Sequence, residues 1–400
     1  MHPFPTTKIS AYNAGRLGAN SGGPAATTLN QHSTSPLFLP FRLRSLEFKN
    51  RVGVSPMCQY SAVDGFPNAW HFGHLSQFAI KGAGLIIVEA TGVTPNARIT
   101  PNCLGLWSQA HANAFKPIVE FIKSQGAVAA IQLGHAGRKA STLAPFVTNN
   151  NYNSVASTEQ NGWPGNVVGP SPVKQAPTTA DVKELSVPEI RQIVKDFENS
   201  ARLALDAGFD VVELHGAHGY LIHSFLSSLS NFRNDEYGGS LENRMRFPIE
   251  IAKAVRAIWP ADKPLFFRLS VSDWSDEPAG LTAADSVHIA RALKAVGVDL
   301  VDCSSGGIVT APVNPAVFFE PGYNVGFAEQ LRVEAGVATA AVGNITDAVQ
   351  AEEILRNGKA DIVLLAREFL RNSAWVLDSA AKVGAEVEWP VQYRRAKPRE

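Results

Sequence analysis

Cysteine is scarce in this chain. Its 400 residues hold three, Cys58, Cys103 and Cys303, odd in number and far apart. That excludes a disulfide framework and leaves no paired spacing for zinc or an iron–sulfur cluster. A reducing, cytoplasmic home is the simplest inference. Long apolar runs are missing as well: none approaches the roughly 18 residues that read as a membrane span. Charge of neither sign is in excess, because Lys+Arg and Asp+Glu both total 36. No basic stripe stands out, which argues against a nucleic-acid partner. Acidic residues are absent before Glu47, and residues 1–35 are rich in Ser, Thr, Asn, Gly and Ala, with Lys8 and Arg16 as their only Lys or Arg. Transit peptides share that poverty in acids, but an amphipathic helical pattern and the apolar stretch of a secretory signal are both missing. The expectation is a disordered or surface-draped extension over 1–35, ahead of one unit spanning 36–400.

What is present is a core-forming composition, 45% hydrophobic. Past residue 36, short β-rich apolar runs alternate with longer segments of helical spacing, the rhythm of parallel strands joined by crossover helices. Eight strands are expected: Val52–Pro56, Leu85–Ala90, Val128–Leu133, Phe209–His215, Leu265–Leu269, Leu300–Cys303, Ala338–Gly343 and Ile362–Ala366. Each is nearly continuous in apolar residues, as a strand covered on both faces should be. Ahead of them, Leu37–Phe48 reads as a hairpin suited to plugging a barrel floor. Helix signals are equally local. Ser186 with Glu189 forms a capping box with Pro188 in the first turn, apolar residues then repeat from Ile190 to Leu205, and Gly208 ends the helix. Ser240 caps a second helix from Leu241 to about Ile258. The class is α/β, and eight βα units predict a (β/α)8 TIM barrel, with a doubly wound sheet as the pattern's alternative. A barrel of this type fills roughly 250 residues, and more with insertions, as one unit. The stretch Thr142–Glu184, long and rich in Pro and Gly, is either a lid or binding loop or an ornamental insertion.

Barrel active sites lie at the C-terminal strand ends. The residues there are Cys58, Glu89, Gln132, His215, Arg268, Cys303, Gly343 and Arg367, several of them polar after an apolar run. His215 and His218 sit in HGAHGYLIHSFLS (215–227), with Tyr220 two residues on. Histidines three apart suit a metal with Glu89 as a further ligand. They equally suit a pair of N–H donors for a substrate oxygen that gains charge, or the plain task of satisfying loop carbonyls. A tyrosine hydroxyl, with an ordinary pKa of about 10, can protonate a strongly basic carbanion while staying protonated at neutral pH. Gly343 and Arg367 end strands seven and eight, where barrels bind phosphate groups through backbone N–H groups and a cation. Arg268, inside a strand, needs an anion to face it. That anion is a ligand, or a salt-bridge partner such as Asp210 or Asp302.

The segments SPMCQY (55–60), EATGV (89–93), IQLGHAGRKA (131–140), HGAHGYLIHSFLS (215–227), NDEYGGSLENR (234–244), AVGNIT (341–346) and LLARE (364–368) resemble the Old Yellow Enzyme family from about Pro36 to Arg395. Cys58 and Tyr60 in MCQY and the His-x-x-His pair resemble its thermophilic-type, YqjM-like branch. The resemblance implies an FMN barrel that takes hydride from NADPH or NADH and reduces electron-poor alkenes. His215 and His218 would bind the substrate's carbonyl or nitro oxygen, Tyr220 would protonate Cα, and Tyr60 would shape the pocket. Cys58 would tune the flavin, Gln132 and Arg268 would contact its polar edge, and Gly343, Asn344 and Arg367 would hold its phosphate. Pro56, Met57, Ala90 and Ala366 complete the cofactor-binding positions it implies. The tail WPVQYRRAK resembles one in which an arginine, here Arg395, enters the site of a second copy in a homodimer. Two rivals stay open: a metal-dependent barrel hydrolase or aldolase built on His215 and His218, and a non-catalytic flavin-binding protein.

Overall fold

The computed structural model describes residues 25–27, 34–151, 153–276 and 280–398. Most of the expected N-terminal extension therefore lies outside the described residues. Of its described part, Ala25 and Ala26 are buried, and the Ala26 N–H donates to the Glu388 carbonyl at 2.8 Å. That piece is packed rather than draped.

A hairpin of β1 (Phe41–Leu43) and β2 (Leu46–Phe48) precedes β3 (Val52–Val54), β4 (Leu85–Gly92) and β5 (Val128–Gly134). After a two-stranded outlier of β6 (Val168–Gly169) and β7 (Lys183–Glu184) come the last five strands. These are β8 (Val211–Gly216), β9 (Leu265–Ser270), β10 (Leu300–Ser304), β11 (Ala338–Ala341) and β12 (Ile362–Leu365). The eight strands from β3 to β12, without the outlier pair, close into one parallel barrel in chain order, with β12 pairing back onto β3. The doubly wound alternative is thereby excluded. All eight expected runs are strands, with ends shifted by at most two residues. The capped helices also form, as Val187–Ala207 and Leu241–Ile258. The Ser186 N–H donates to Glu189 Oε2 at 2.8 Å, and Gly208 closes that helix at φ +93°. Among the described residues no helix is long and apolar enough to cross a membrane.

Successive side chains of a strand point to opposite faces, and this period of two sorts the barrel. Ile86, Val88, Leu133, Leu214, Leu269 and Cys303 face the helical shell and join the larger core. Leu85, Ile87, Val128, Ala130, Val211, Phe266, Leu300, Ala340, Ile362 and Leu364 face inward and fill the lower barrel with Phe48 from the hairpin. Phe48 stacks on Phe266 with ring centroids 6.4 Å apart, and Phe41 covers its other side at 5.8 Å. The hairpin thus plugs the floor. The inner wall is tight enough that a Cβ on Gly53 would meet Leu364 at 2.5 Å. The same parity corrects one sequence expectation. Cys303 does not face the site, because its neighbours Asp302 and Ser304 take the inward positions on β10.

Phe48→Ala removes the plug's ring from a site that cannot collapse around it. A loss of about 3–5 kcal/mol is expected, read as a lower midpoint in chemical denaturation. A loss under about 1 kcal/mol would separate the hairpin from the barrel's core packing.

Candidate active site

Above the apolar floor the barrel interior turns polar. Strand register sets Gln132 beside Glu213, His215 beside Arg268, Arg268 beside Asp302, and Ser270 beside Ser304. Arg268 Nε lies 3.1 Å from Asp302 Oδ2, and one terminal N–H group donates to Ser55 Oγ at 3.3 Å. Of the two salt-bridge partners considered from sequence, Asp302 is the one. Asp210 lies at the barrel's lower end with Lys123 and Lys263, at 2.7 and 3.3 Å. Gln132 Nε2 donates to Glu213 Oε1 at 2.9 Å.

The loop after β8 carries His215, His218 and Tyr220 in one ring cluster. Centroids are 5.2 Å apart for His215–His218 and 4.9 Å for His215–Tyr220. His218 has φ +60°, a conformation that a side chain with a Cβ adopts only when its surroundings impose it. Three contacts impose it. Its N–H donates to Ser270 Oγ at 2.9 Å, its Nε2 lies 2.7 Å from Ser304 Oγ, and Lys139 Nζ donates to its carbonyl at 2.6 Å. Glycine is required on both sides of this turn. A Cβ on Gly219 would meet the Gly307 carbonyl oxygen at 2.1 Å, and one on Gly307 would meet the His218 backbone at 2.4 Å. A third histidine does the structural work in this motif. His223 Nδ1 accepts from the Gly219 N–H at 2.9 Å, leaving Nε2–H for Asp273 at 3.0 Å. Lys139 and His223 therefore hold the loop backbone. The ring of His215 is left at the mouth, with no hydrogen-bond partner at Nδ1.

Burial pushes both His215 and His218 well below the usual histidine range, and the Arg268 charge pushes them further. Both rings are neutral at pH 7. As for a metal, Glu89 accepts from the Gln59 N–H at 3.0 Å and faces His71 at 3.5 Å. Among the described residues no three His, Cys, Asp or Glu side chains gather as a ligand set.

Two cavities of about 170 Å³ each open on this mouth. One is a trough from His218, Arg268 and Ser304 past Tyr323 to Gly343, Asn344, Ala366 and Arg367. The other lies between Tyr60, Lys139 and Tyr220 on one side and Thr142, Leu143, Pro145, Gln175 and Thr179 on the other. The long loop therefore walls a cavity. Trp163 anchors it through Nε1–H to the Asn96 carbonyl at 3.1 Å, beside the Arg98 guanidinium at 5.1 Å. Ala90, at an irregularity in the β4–β5 pairing, lines a narrow gap shared with His215 and Tyr220.

The expected residues thus fall into groups. His218, Arg268, Gly343, Asn344, Ala366 and Arg367 share the trough, and Tyr60 and Tyr220 share the loop-side cavity. Gln132 is buried in the layer beneath. Pro56 and Met57 line neither large cavity; Met57 lies by a small gap next to His71 and Glu89. The Cys58 thiol is raised well above its ordinary value by its interaction with a cysteine the sequence did not single out, Cys103, and then by burial. Burial disfavours the Cys103 thiolate, yet hydrogen bonds with Cys58 and Thr100 bring it down to about 7. Lys139, Ser270, Ser304, Gly219, Gly307 and Glu213 were also missed.

The trough suits FMN. The Arg268 guanidinium stands at one end for the polar rim of an isoalloxazine, with the Gln132 amide in the layer beneath it. At the other, Gly343 at φ +125°, where a Cβ would meet Tyr323 at 2.9 Å, lets backbone approach a phosphate beside exposed Arg367.

Comparison with known proteins agrees. Residues 36–384 match the model of the NADH:flavin oxidoreductase / NADH oxidase family. The NADPH dehydrogenase of Geobacillus thermodenitrificans is 46% identical over 361 residues, 90% of this chain and 98% of that protein. Its Bacillus subtilis counterpart is 45% identical with the same coverage. Among solved structures, morphinone reductase superposes with a TM-score of 0.69 at 27% identity, covering 90% of this chain and 92% of its own. The old yellow enzyme homologue from Zymomonas mobilis gives 0.69 at 26%, covering 89% and 94%. With its closed parallel barrel and a mouth shaped for a flavin, this chain belongs to the NADH:flavin oxidoreductase / NADH oxidase family, as an FMN-dependent, NAD(P)H-using oxidoreductase of the Old Yellow Enzyme type.

Proposed function

We propose that the protein is an ene-reductase acting on α,β-unsaturated carbonyl or nitro compounds. The ring cluster His218–His215–Tyr220 carries this reading, because His218 lines the trough, Tyr220 lines the loop-side cavity, and the His215 ring lies between the two. Bound FMN, reduced by the NADPH named in its bacterial relatives, supplies hydride chemistry at Cβ of the alkene. Gln132 and Arg268 hold its polar edge, Gly343, Asn344 and Arg367 its phosphate, and Pro56, Met57, Ala90 and Ala366 the surfaces between. Cys58 would stand at its redox-active edge.

The two histidines bind the substrate oxygen as neutral N–H donors. A negative charge grows on that oxygen as hydride reaches Cβ, and fixed donors in a pocket shielded from water stabilise it strongly. The stays on His218 keep its donor aligned, so little reorganisation is needed during the reaction. Tyr220 then passes its hydroxyl proton to Cα, completing addition of one hydride and one proton across the double bond. Tyr60, packed edge-on to Phe146 at 6.2 Å, and the loop wall enclose the substrate. Arg395, exposed on the final turn Val391–Ala396, is the residue that reaches a second copy in a homodimer.

Tyr220→Phe is expected to slow the alkene half-reaction by about 10²–10⁴-fold and to spare flavin reduction by NADPH, read separately by anaerobic stopped-flow. Equal losses in both half-reactions would remove Tyr220 as the proton donor. Cys58→Ala is expected to shift the flavin midpoint potential, since a polar group leaves the cofactor's edge. A potential that stays put would take Cys58 out of the site.

A further inference from the structure

The polar layer inside the barrel holds an ionisable group that the reaction above does not use. Glu213 is fully buried. Its Oε1 accepts from Gln132 at 2.9 Å, and its Oε2 has no hydrogen-bond partner. The charged groups facing it are Arg268 on β9 and Asp302 on β10, while β5 contributes only the neutral Gln132; on its own strand, His215 is neutral. Arg268 is already paired with Asp302 at 3.1 Å. One guanidinium thus faces two carboxyls in a sealed interior. Two buried carboxylates sharing one cation leave an uncompensated charge, which is costly in low dielectric. The stable arrangement is Arg268 with ionised Asp302, and Glu213 as the neutral acid with its proton on the otherwise unpartnered Oε2.

This layer has a second neighbour under the reading given above, in which Gln132 and Arg268 face the cofactor's polar edge; the inference rests on that reading. Hydride from NAD(P)H brings two electrons and one proton, so the cofactor gains one unit of negative charge. We propose that Glu213 is a positioning residue for charge: at alkaline pH, where the oxidised enzyme carries it as a carboxylate, cofactor reduction makes it take one solvent proton at Oε2, and it releases that proton when the cofactor is reoxidised. Gln132 and Arg268 are the side chains through which it senses the cofactor's charge. Glu213 does not touch the alkene and is not its proton source.

The pH window follows from the surroundings. Burial, and then the Asp302 charge, push the Glu213 carboxyl up to about 8, against the pull of Arg268 and Gln132. Below that pH it is protonated whatever the cofactor's state, and no extra proton moves. Above it, the oxidised enzyme carries Glu213 as carboxylate, and negative charge arriving next to Arg268 raises its affinity for a proton. Reduction then takes up one additional proton per two electrons.

The test is the midpoint potential of the holoenzyme's flavin as a function of pH, in wild type and Glu213→Gln. On the alkaline side of a bend near 8, each pH unit should make reduction up to tenfold less favourable in wild type relative to the variant, in which the bend is absent. Asp302→Asn removes the charge that raises Glu213 and should move the bend to lower pH. Reduced-minus-oxidised infrared spectra on the alkaline side should show a protonated-carboxyl C=O band in wild type that Glu213→Gln lacks. If Glu213→Gln fails to hold FMN, the wild-type bend, its infrared band and the Asp302→Asn shift decide. A wild-type profile without the bend, or a bend that survives Glu213→Gln, overturns the proposal. Arg268→Gln separates the two layers of the argument. If it leaves FMN affinity and potential unchanged at every pH, the cofactor does not face this layer, and the site reading itself fails.

Discussion

A guanidinium inside a closed barrel has to be answered by an anion, and the upper half of this molecule is arranged around that requirement. Arg268 stands on β9 where the interior changes from packed aliphatic and aromatic side chains to polar ones. Asp302 answers it from the next strand at 3.1 Å. The resulting ion pair lets a cation remain beneath the mouth without drawing the neighbouring histidines into charge. Its field does the reverse: with burial, it keeps His215 and His218 neutral, as donors rather than cations. The apolar floor below makes this possible, because Phe48 and the layer around Phe266 shut water out from underneath.

Precision at the mouth comes from backbone held in costly conformations. Tyr60, His218 and Asn344 all have positive φ, at 49°, 60° and 46°, and each lies at a cavity wall. Such conformations persist where surrounding contacts over-determine them. For His218 those contacts are two serines at the ends of β9 and β10 and the Lys139 ammonium. Asn344 is held by donating to the Phe318 carbonyl at 2.6 Å and accepting from Arg367 at 2.9 Å. The barrel strands thus supply rigidity, and short turns convert it into side-chain direction.

Much of this was legible in the sequence. The eight strands stand out because each is an apolar run bounded by turn residues, and the capped helices because Ser186, Glu189 and Gly208 signal locally. The histidine pair and Tyr220 were legible because they cluster in one turn after one strand. Of the polar layer, Gln132, Arg268 and Asp302 were legible, but Glu213, Ser270 and Ser304 were not. In a strand buried on both faces, inward and outward residues are both apolar, so the parity that separates Asp302 and Ser304 from Cys303 leaves no pattern to read. Glu213 hides in VVELHG for the same reason. Lys139, Gly307 and Cys103 escaped because their partners His218 and Cys58 are distant in sequence, and only closure of the barrel brings them together. The loop over 142–184 gave length but no direction, and its role as a cavity wall depends on Trp163 reaching Asn96.

In the proposed reaction the barrel passes electrons from NADPH through FMN to an activated alkene. One anaerobic cuvette tests it most directly. The absorbance of the purified protein is followed on adding NADPH and then cyclohexenone. A flavin band that bleaches with NADPH and returns with the enone is the predicted result. A band that bleaches but returns only when air is admitted, or no flavin band after FMN is supplied, would contradict it.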